Sequence, residues 1–536
     1  MSNSNRAYVY MPIVFALLIV GGIFIGKNLN FSPDNISSIS YGEFPADEKV
    51  SEVLKFITEN YVDSVDDNEL AEKAIEELLH NLDPHSSYIS AEELKGVNEQ
   101  LEGNFEGIGI EFNILRDTIC VVAVIAGGPS EKVGMMAGDK IIKVEGENVA
   151  GNEVKSKDVT SKLRGKRNTK VKVGVMRNNN PKLIDFVIPR DEIPLYSIDV
   201  SYMLNNNTGY VKLSRFTKTS YDEFMGAVTK LQKTGMKNLV LDLRGNGGGL
   251  LNIAVQISDE FLEDGKMIVY TQGKNSSRKN YKASSTGELS SIPIVILIDE
   301  NSASASEILA GAIQDNDRGT IIGRRSFGKG LVQNQTELPD GSAIRLTTAR
   351  YYTPTGRCIQ KPYDKGLEAY YSEEENRYDN GELQNADSIH FPDSLKFKTP
   401  KGKIVYGGGG IMPDIFVPLD TNGRSKYLSE LFYKGIFNQF SFDYADKNRA
   451  MFAAMEYEKF LSAFAVSNEL MKSFIEYADK NGVKRNEVQI KKSEALIKNY
   501  LKASIARNIW NDEGFYPIYN KDDKALEKAI DFLHKN

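Results

Sequence analysis

From Tyr8 to Gly26 the chain carries no charge, and this pattern predicts an apolar helix of roughly 28 Å, enough for a bilayer core of about 30 Å. Arg6 precedes the run, Lys27 follows it, and the next charges are the acidic Asp34, Glu43 and Asp47. Residues 1–27 are therefore expected to be an N-terminal membrane anchor. The remainder is then expected on the periplasmic or extracytoplasmic side of the inner (cytoplasmic) membrane, in single-pass topology. No small-x-small site and no cysteine follows the run closely, so an uncleaved anchor is preferred to a signal peptide or lipoprotein leader.

Beyond a short linker, residues 47–103 have helical spacing. Val50, Val53, Leu54, Ile57 and Tyr61 form one apolar stripe and Leu70, Ala74, Ile75, Leu78 and Leu79 a second, with Leu82-Asp83-Pro84-His85 as the stop. At residue 104 the texture changes. Gly107 to Phe112 precede a strand over Thr118 to Val124, a helix starts at Pro129-Ser130-Glu131, and Ala137 to Gly146 lead to strands at Val171 to Met176 and Asp185 to Ile188. Residues 191–420 mix buried-type strands (Leu239 to Leu243, Ile292 to Ile298, Thr320 to Gly323) with a helix from Leu250 to about Glu263. A hairpin over Leu331 to Leu338 and Ala343 to Tyr352 turns at Pro339-Asp340-Gly341. Residues 365–398 are polar, acidic and turn-rich, and read as a surface insertion. From 421 to 536 the pattern is helical again and rich in phenylalanine and tyrosine.

The length of 536 residues asks for three or four units. A net charge of -7 argues against nucleic acid as a partner. Cys120 and Cys358 lie in separate segments with no zinc or redox spacing, so neither a metal site nor a cofactor is legible.

The four histidines, His80, His85, His390 and His534, lack a glycine-rich or strand-end context, and no G-x-S-x-G elbow occurs. Both facts weigh against a Ser-His-Asp triad. Ser302, Ser304 and Ser306 follow one predicted strand and Lys329 follows the next, at the strand ends where α/β folds place chemistry. A serine nucleophile with a lysine base fits this placement. The base must be neutral, and a free lysine titrates near 10.4, so work at pH ~7.5 requires a depression of about three units, or about 4 kcal/mol. Burial beside Phe327 and Leu331, away from carboxylates, is the expected source. The turn Arg244-Gly245-Asn246-Gly247-Gly248-Gly249 opens a helix and offers N–H groups to a negative charge. Its spacing is not the dinucleotide fingerprint.

Residues 104–190 resemble a PDZ domain of the bacterial type. The segments Ser302-Ala303-Ser304-Ala305-Ser306-Glu307, Phe327-Gly328-Lys329-Gly330-Leu331-Val332-Gln333 and Asp242 to Gly249 resemble the core motifs of the carboxy-terminal processing proteases, also called tail-specific proteases. Tyr351 to Arg357, Gly410 to Asp414 and Leu82 to Ser86 match further family segments, so the similarity runs from about residue 47 to 420.

The resemblance implies an α+β and α/β multidomain chain. A PDZ domain (104–190) is inserted ahead of a crotonase- or Clp-like serine protease core (191–420), with helical regions at 47–103 and 421–536. It implies a Ser-Lys endopeptidase that binds C-terminal tails of proteins and processes or degrades envelope proteins. Motif position makes Ser304 the nucleophile, Lys329 the base and Gln333 its support. Ala305 with Gly247 or Gly248 would form the oxyanion hole. In the PDZ domain, Gly107 and Gly109 would let the backbone approach a tail carboxylate, and Ile108, Ile110 and Phe112 would line the side-chain pocket. Arg164 is a candidate link between tail binding and activity. Expected partners are flexible C-terminal tails, the membrane, and a second copy through the helical regions. The competing readings are a membrane-anchored PDZ adaptor with an inactive core and a crotonase-like enzyme acting on small thioesters.

Overall fold

Alternation along the buried strands sets the layering of the catalytic region. In the computed structural model, which describes residues 16–22, 46–151, 153, 155–177 and 180–535, every residue of the strand Ile294–Ile298 is buried. Ile294, Ile296 and Ile298 join one apolar cluster with Phe224, Ile253 and Ile308, whereas Val295 and Leu297 join another with Leu526, Ala529 and Leu533. Side chains alternate across a strand, so this sheet is covered on both faces, as parallel sheets are. Helices Ser220–Lys233, Leu251–Asp259 and Ala305–Asp315 supply one cover, and the last helix, Lys524–Lys535, supplies the other.

The strand order is Ile198–Met203, Thr208–Leu213, Asn238–Asp242, Ile294–Ile298, Thr320–Gly323, Ile415–Phe416. The first pair is antiparallel and the others are parallel. The segments leaving Asp242, Ile298 and Gly323 therefore emerge at one end of the sheet. A second sheet pairs Ala343–Tyr352 with Ser87–Ile89, Met267–Gln272 and Leu331–Glu337.

The PDZ region is an antiparallel sheet in the order Ile110–Leu115, Thr118–Val124, Lys140–Val144, Lys170–Met176, Ile184–Pro189, with Ile110–Leu115 at its edge. Its entry strand Asn104–Gly107 pairs antiparallel with its exit strand Asp191–Pro194, with Asn104 opposite Pro194. Downstream, helices including Ile436–Lys447, Asn468–Lys480 and Glu487–Tyr519 enclose a core with Phe437, Phe440 and Phe474.

The structure corrects several sequence expectations. The described residues fall into two units divided between Ala71 and Glu72. Among them, no helix is long and apolar enough to cross a membrane. Of the expected anchor at 1–27, only residues 16–22 are described, as helix. The single-pass, inner-membrane placement with a periplasmic catalytic region is therefore withdrawn. The helical region holds Ala46–Asn60 and Asp67–His80 as expected, and also Ala91–Glu102, capped by Ser90, whose hydroxyl accepts from Glu93 N–H. The segment 365–398 is not a mere surface insertion, because its helices bury Tyr370 and Arg377.

Candidate active site

Ser304 sits where the strand Ile294–Ile298 has ended and the helix Ala305–Asp315 begins. Its φ of 57° lies in the left-handed region, which disfavours a residue with a Cβ and marks a backbone held in place by its surroundings. The neighbouring serines are differently placed. Ser302 and Ser306 are fully buried, and their hydroxyls donate to Leu243 O and Asn246 O, each at 2.9 Å. Ser304 alone of the three is partly exposed.

A buried carboxylate organises the site. Glu307, on the first turn of the helix, accepts the N–H of Ser304 and the N–H of Lys329 on Oε2, at 2.8 and 2.9 Å. Its Oε1 accepts Gly328 N–H at 2.7 Å and the Ser326 hydroxyl at 2.6 Å. Burial pushes its pKa up to about 7, against the opposing effect of these donors. The Tyr351 hydroxyl lies between the carbonyls of Ser304 and Lys329, 3.2 Å from the former. Neither residue stood out in the sequence, yet Ser304-x-x-Glu307 has the spacing of a helix capping box, which is the signal that marks Glu307.

The glycine turn approaches from the neighbouring strand. Asp242 is clamped by the Arg244 guanidinium, which holds its carboxyl well below the usual range despite burial, and Arg244 also reaches Asp523 at 2.7 Å. Asn246 O accepts Ala303 N–H at 3.0 Å, which ties the turn to the serine segment. A Cβ on Gly248, whose φ is 102°, would lie 2.7 Å from Ser304 Cβ and 2.9 Å from Ala305 N, so only glycine fits there. Gly248 N–H donates to Asn246 Oδ1 at 2.8 Å. The N–H groups of Gly247 and Ala305 have no hydrogen-bond acceptor among the described residues.

Lys329 is half-buried, and its pKa is lowered first by that burial and then by the Arg345 guanidinium, while Glu307 and Asp83 oppose the shift. Carboxylates are thus part of its surroundings, contrary to the expectation from sequence. Gln333 lies in the strand Leu331–Glu337, and its amide donates to Thr347 Oγ1 at 3.3 Å rather than to Lys329. Thr347 Oγ1 donates in turn to Asp83 Oδ1 at 3.0 Å. This brings the Leu82-Asp83-Pro84-His85 turn to the site. His85 Nε2 lies 2.8 Å from the Tyr370 hydroxyl. Its pKa is lowered to about 4, by burial first and then by Lys329.

The edge strand Ile110–Leu115 and the helix Ser156–Leu163 flank a groove of about 380 Å³, lined among others by Ile108, Gly109, Ile110, Phe112, Leu163 and Arg164. Gly107 does not line it, and a Cβ at that position would lie 2.9 Å from the Phe105 ring. Arg164 pairs with Glu99 Oε2 at 2.6 Å and stacks 4.3 Å above the Phe105 ring, so it is not a free cation in a turn.

Comparison with known proteins identifies the domains that carry these residues. Residues 207–369 match the model of Peptidase family S41 and residues 107–187 that of the PDZ domain. Residues 31–93 match the Activating protease CtpB N-terminal domain, and residues 427–511 match a family of unknown function. The chain is 36% identical over 350 residues to a carboxy-terminal-processing protease of Bartonella bacilliformis, covering 64% of this chain and 80% of that one. It is 35% identical over 340 residues to the carboxy-terminal processing protease CtpA of Bacillus subtilis, covering 63% and 71%. Among solved structures, a photosystem II D1 C-terminal processing protease matches with a TM-score of 0.36 at 26% identity, over 70% of this chain and 94% of that one. With a PDZ domain ahead of an S41 peptidase domain, the chain belongs to the carboxy-terminal processing proteases, a family of serine-type peptidases.

Proposed function

We propose that this chain cleaves proteins near flexible C-terminal tails with a Ser304–Lys329 dyad, after its PDZ domain (104–190) captures the tail. The observation that carries the reading is the shared Glu307 oxygen, which fixes the backbones of a partly exposed serine and a half-buried lysine against one atom. The neutral Lys329 amine takes the Ser304 proton as Oγ attacks the scissile carbonyl. Ala305 N–H and a glycine N–H of the turn, Gly247 being the unengaged one beside Gly248, receive the oxyanion. The Lys329 ammonium then returns the proton to the leaving amine, and water hydrolyses the acyl-enzyme by the same route. Gln333 acts at one remove, through Thr347 and Asp83. The tail adds as a strand to the edge Ile110–Leu115, with its carboxylate at the Gly107 to Ile110 turn and its last side chain against Ile108, Ile110 and Phe112. Arg164, at the groove's wall and bonded to Glu99, links tail occupancy to the helix Ala91–Glu102.

The test incubates the full chain with an unfolded protein bearing an apolar C-terminus, comparing the parent with Ser304→Ala by mass spectrometry. Cleavage lost only in the variant supports the assignment. Cleavage retained by Ser304→Ala overturns it, and binding without cleavage by both forms replaces it with a peptide-binding adaptor.

A further inference from the structure

The helix Glu373–Asp379 has a single buried side chain, and it is charged: Arg377. Apolar packing therefore does not dock this helix. A guanidinium does. The adjoining helix Leu367–Tyr371 likewise buries one residue, Tyr370, and its hydroxyl meets His85. Both buried side chains point to the same place, the irregular segment 324–330 that carries Lys329.

That segment has no ladder to hold it, so its polar backbone must find other partners. On one side Glu307 takes Gly328 N–H, Lys329 N–H and the Ser326 hydroxyl. On the other, Arg377 donates to Arg325 O at 2.6 Å and Ser326 O at 3.1 Å, two successive carbonyls separated from Lys329 by Phe327 and Gly328. Arg377 is itself oriented by Glu382, whose Oε1 accepts its Nε at 2.7 Å. The same carboxylate accepts Arg325 Nε at 2.7 Å and Arg325 Nη2 at 2.9 Å. Two guanidinium groups and a carboxylate are thus buried together, at 2%, 7% and 5% exposure for Arg377, Arg325 and Glu382. Burying such a cluster is costly, and an apolar filling stabilises a fold at least as well. What the cluster adds is geometry: a planar fork that fixes two carbonyls at once.

We propose that Arg377, aligned by Glu382, is a positioning residue for Lys329, so that the segment 365–398 is part of the catalytic apparatus. The inference rests on the reading of Lys329 as the base. The Lys329 amine is faced by Arg345 from the hairpin, Glu307 from the Ala305–Asp315 helix, and Asp83 and His85 from the 82–85 turn. Releasing the segment moves the amine relative to all of them and into water.

The test measures kcat, KM for a tailed peptide, the pH profile and thermal unfolding for Arg377→Lys, Arg377→Met and Glu382→Gln in the full chain. The expected result is a fall in kcat of about 10- to 100-fold, as for misplaced catalytic groups. KM should hold, the acid limb should move to higher pH, and Glu382→Gln should be milder than Arg377→Met. Should the Arg377 variants fail to fold, Glu382→Gln alone reads out the same shift. A parental kcat and acid limb overturn the proposal, as does a loss of stability with the acid limb unmoved. Lys329→Ala is assayed alongside. Full activity there overturns the base assignment itself, whereas an inactive Lys329→Ala with parental Arg377 variants overturns only the positioning role.

Discussion

The backbone N–H groups of Ser304 and Lys329, 25 residues apart in the sequence, point at one and the same atom, Oε2 of Glu307, from 2.8 and 2.9 Å. For the proposed dyad, an acceptor shared in this way would do what a third side chain does for a histidine triad: it would fix nucleophile and base relative to each other. Glu307→Gln puts an amide with only one acceptor oxygen against four donors, and leaving a buried donor unsatisfied costs about 1–3 kcal/mol. The expected outcome is a lower unfolding temperature and a reduced kcat with tail binding intact, measured by calorimetry, steady-state kinetics and peptide titration. A parental kcat would refute the role.

Ser302→Ala and Ser306→Ala should each cost about 1 kcal/mol of stability, the net worth of a buried hydrogen bond, and leave the chemistry in place. Ser304→Ala should do the reverse. Chemical denaturation and an active-site label separate the two patterns.

Catalysis by a neutral amine gives a rate that rises with pH through an acid limb at the Lys329 pKa. The Arg345 guanidinium helps to depress that pKa. Arg345→Met removes the cation, favours the ammonium form and moves the limb to higher pH. Lys329→Arg should be inactive at every pH, because guanidinium stays protonated. Rate profiles of the three proteins decide the matter.

Glu307 and His85 oppose each other in stability. The Glu307 pKa is raised to about 7, so its contribution is full below its unfolded value of about 4.3 and is lost as pH rises through 7. The His85 pKa is lowered to about 4, so its contribution is full above its unfolded value of about 6.5 and is lost as pH falls towards 4. Between these limits each slope is at most about 1.4 kcal/mol per pH unit, of opposite sign. These two contributions largely cancel there. His85→Gln should lose stability with rising pH and Glu307→Gln should gain it, as read from unfolding midpoints at pH 4.5 and 6.5.

Gly109 has a φ of 74°, and a Cβ there would lie 3.1 Å from Ile193 Cδ1. Gly109→Ala should strain the turn by about 1–2 kcal/mol. Tailed-peptide affinity should weaken while an unfolded protein without an apolar tail is cut at the parental rate. Equal loss on both substrates would argue against separate tail capture.

The placement of the Ser304 and Lys329 segments after two neighbouring strands, the glycine turn and the PDZ region were legible because each depends on local pattern: strand ends, glycine spacing, an edge strand beside a turn. Glu307 was hidden because a glutamate three residues into a helix reads as an ordinary cap, and its contacts to the Lys329 segment are long-range. Arg377 was hidden for a different reason. One buried cation in an acidic stretch barely changes the composition, so residues 365–398 looked wholly solvated. The helix Ala91–Glu102 was announced by Ser90-x-x-Glu93 but has a weak apolar stripe, with Leu94 its only buried residue.

The paired strands Asn104–Gly107 and Asp191–Pro194 bring the two ends of the PDZ region side by side. Partners opposite each other in an antiparallel ladder lie about 5 Å apart, a gap that a short turn closes. Recognition is thus attached to the peptidase as an exchangeable cassette. Tail preference is free to diverge, by replacement of everything between those two strands, without any change to the residues that break the peptide bond.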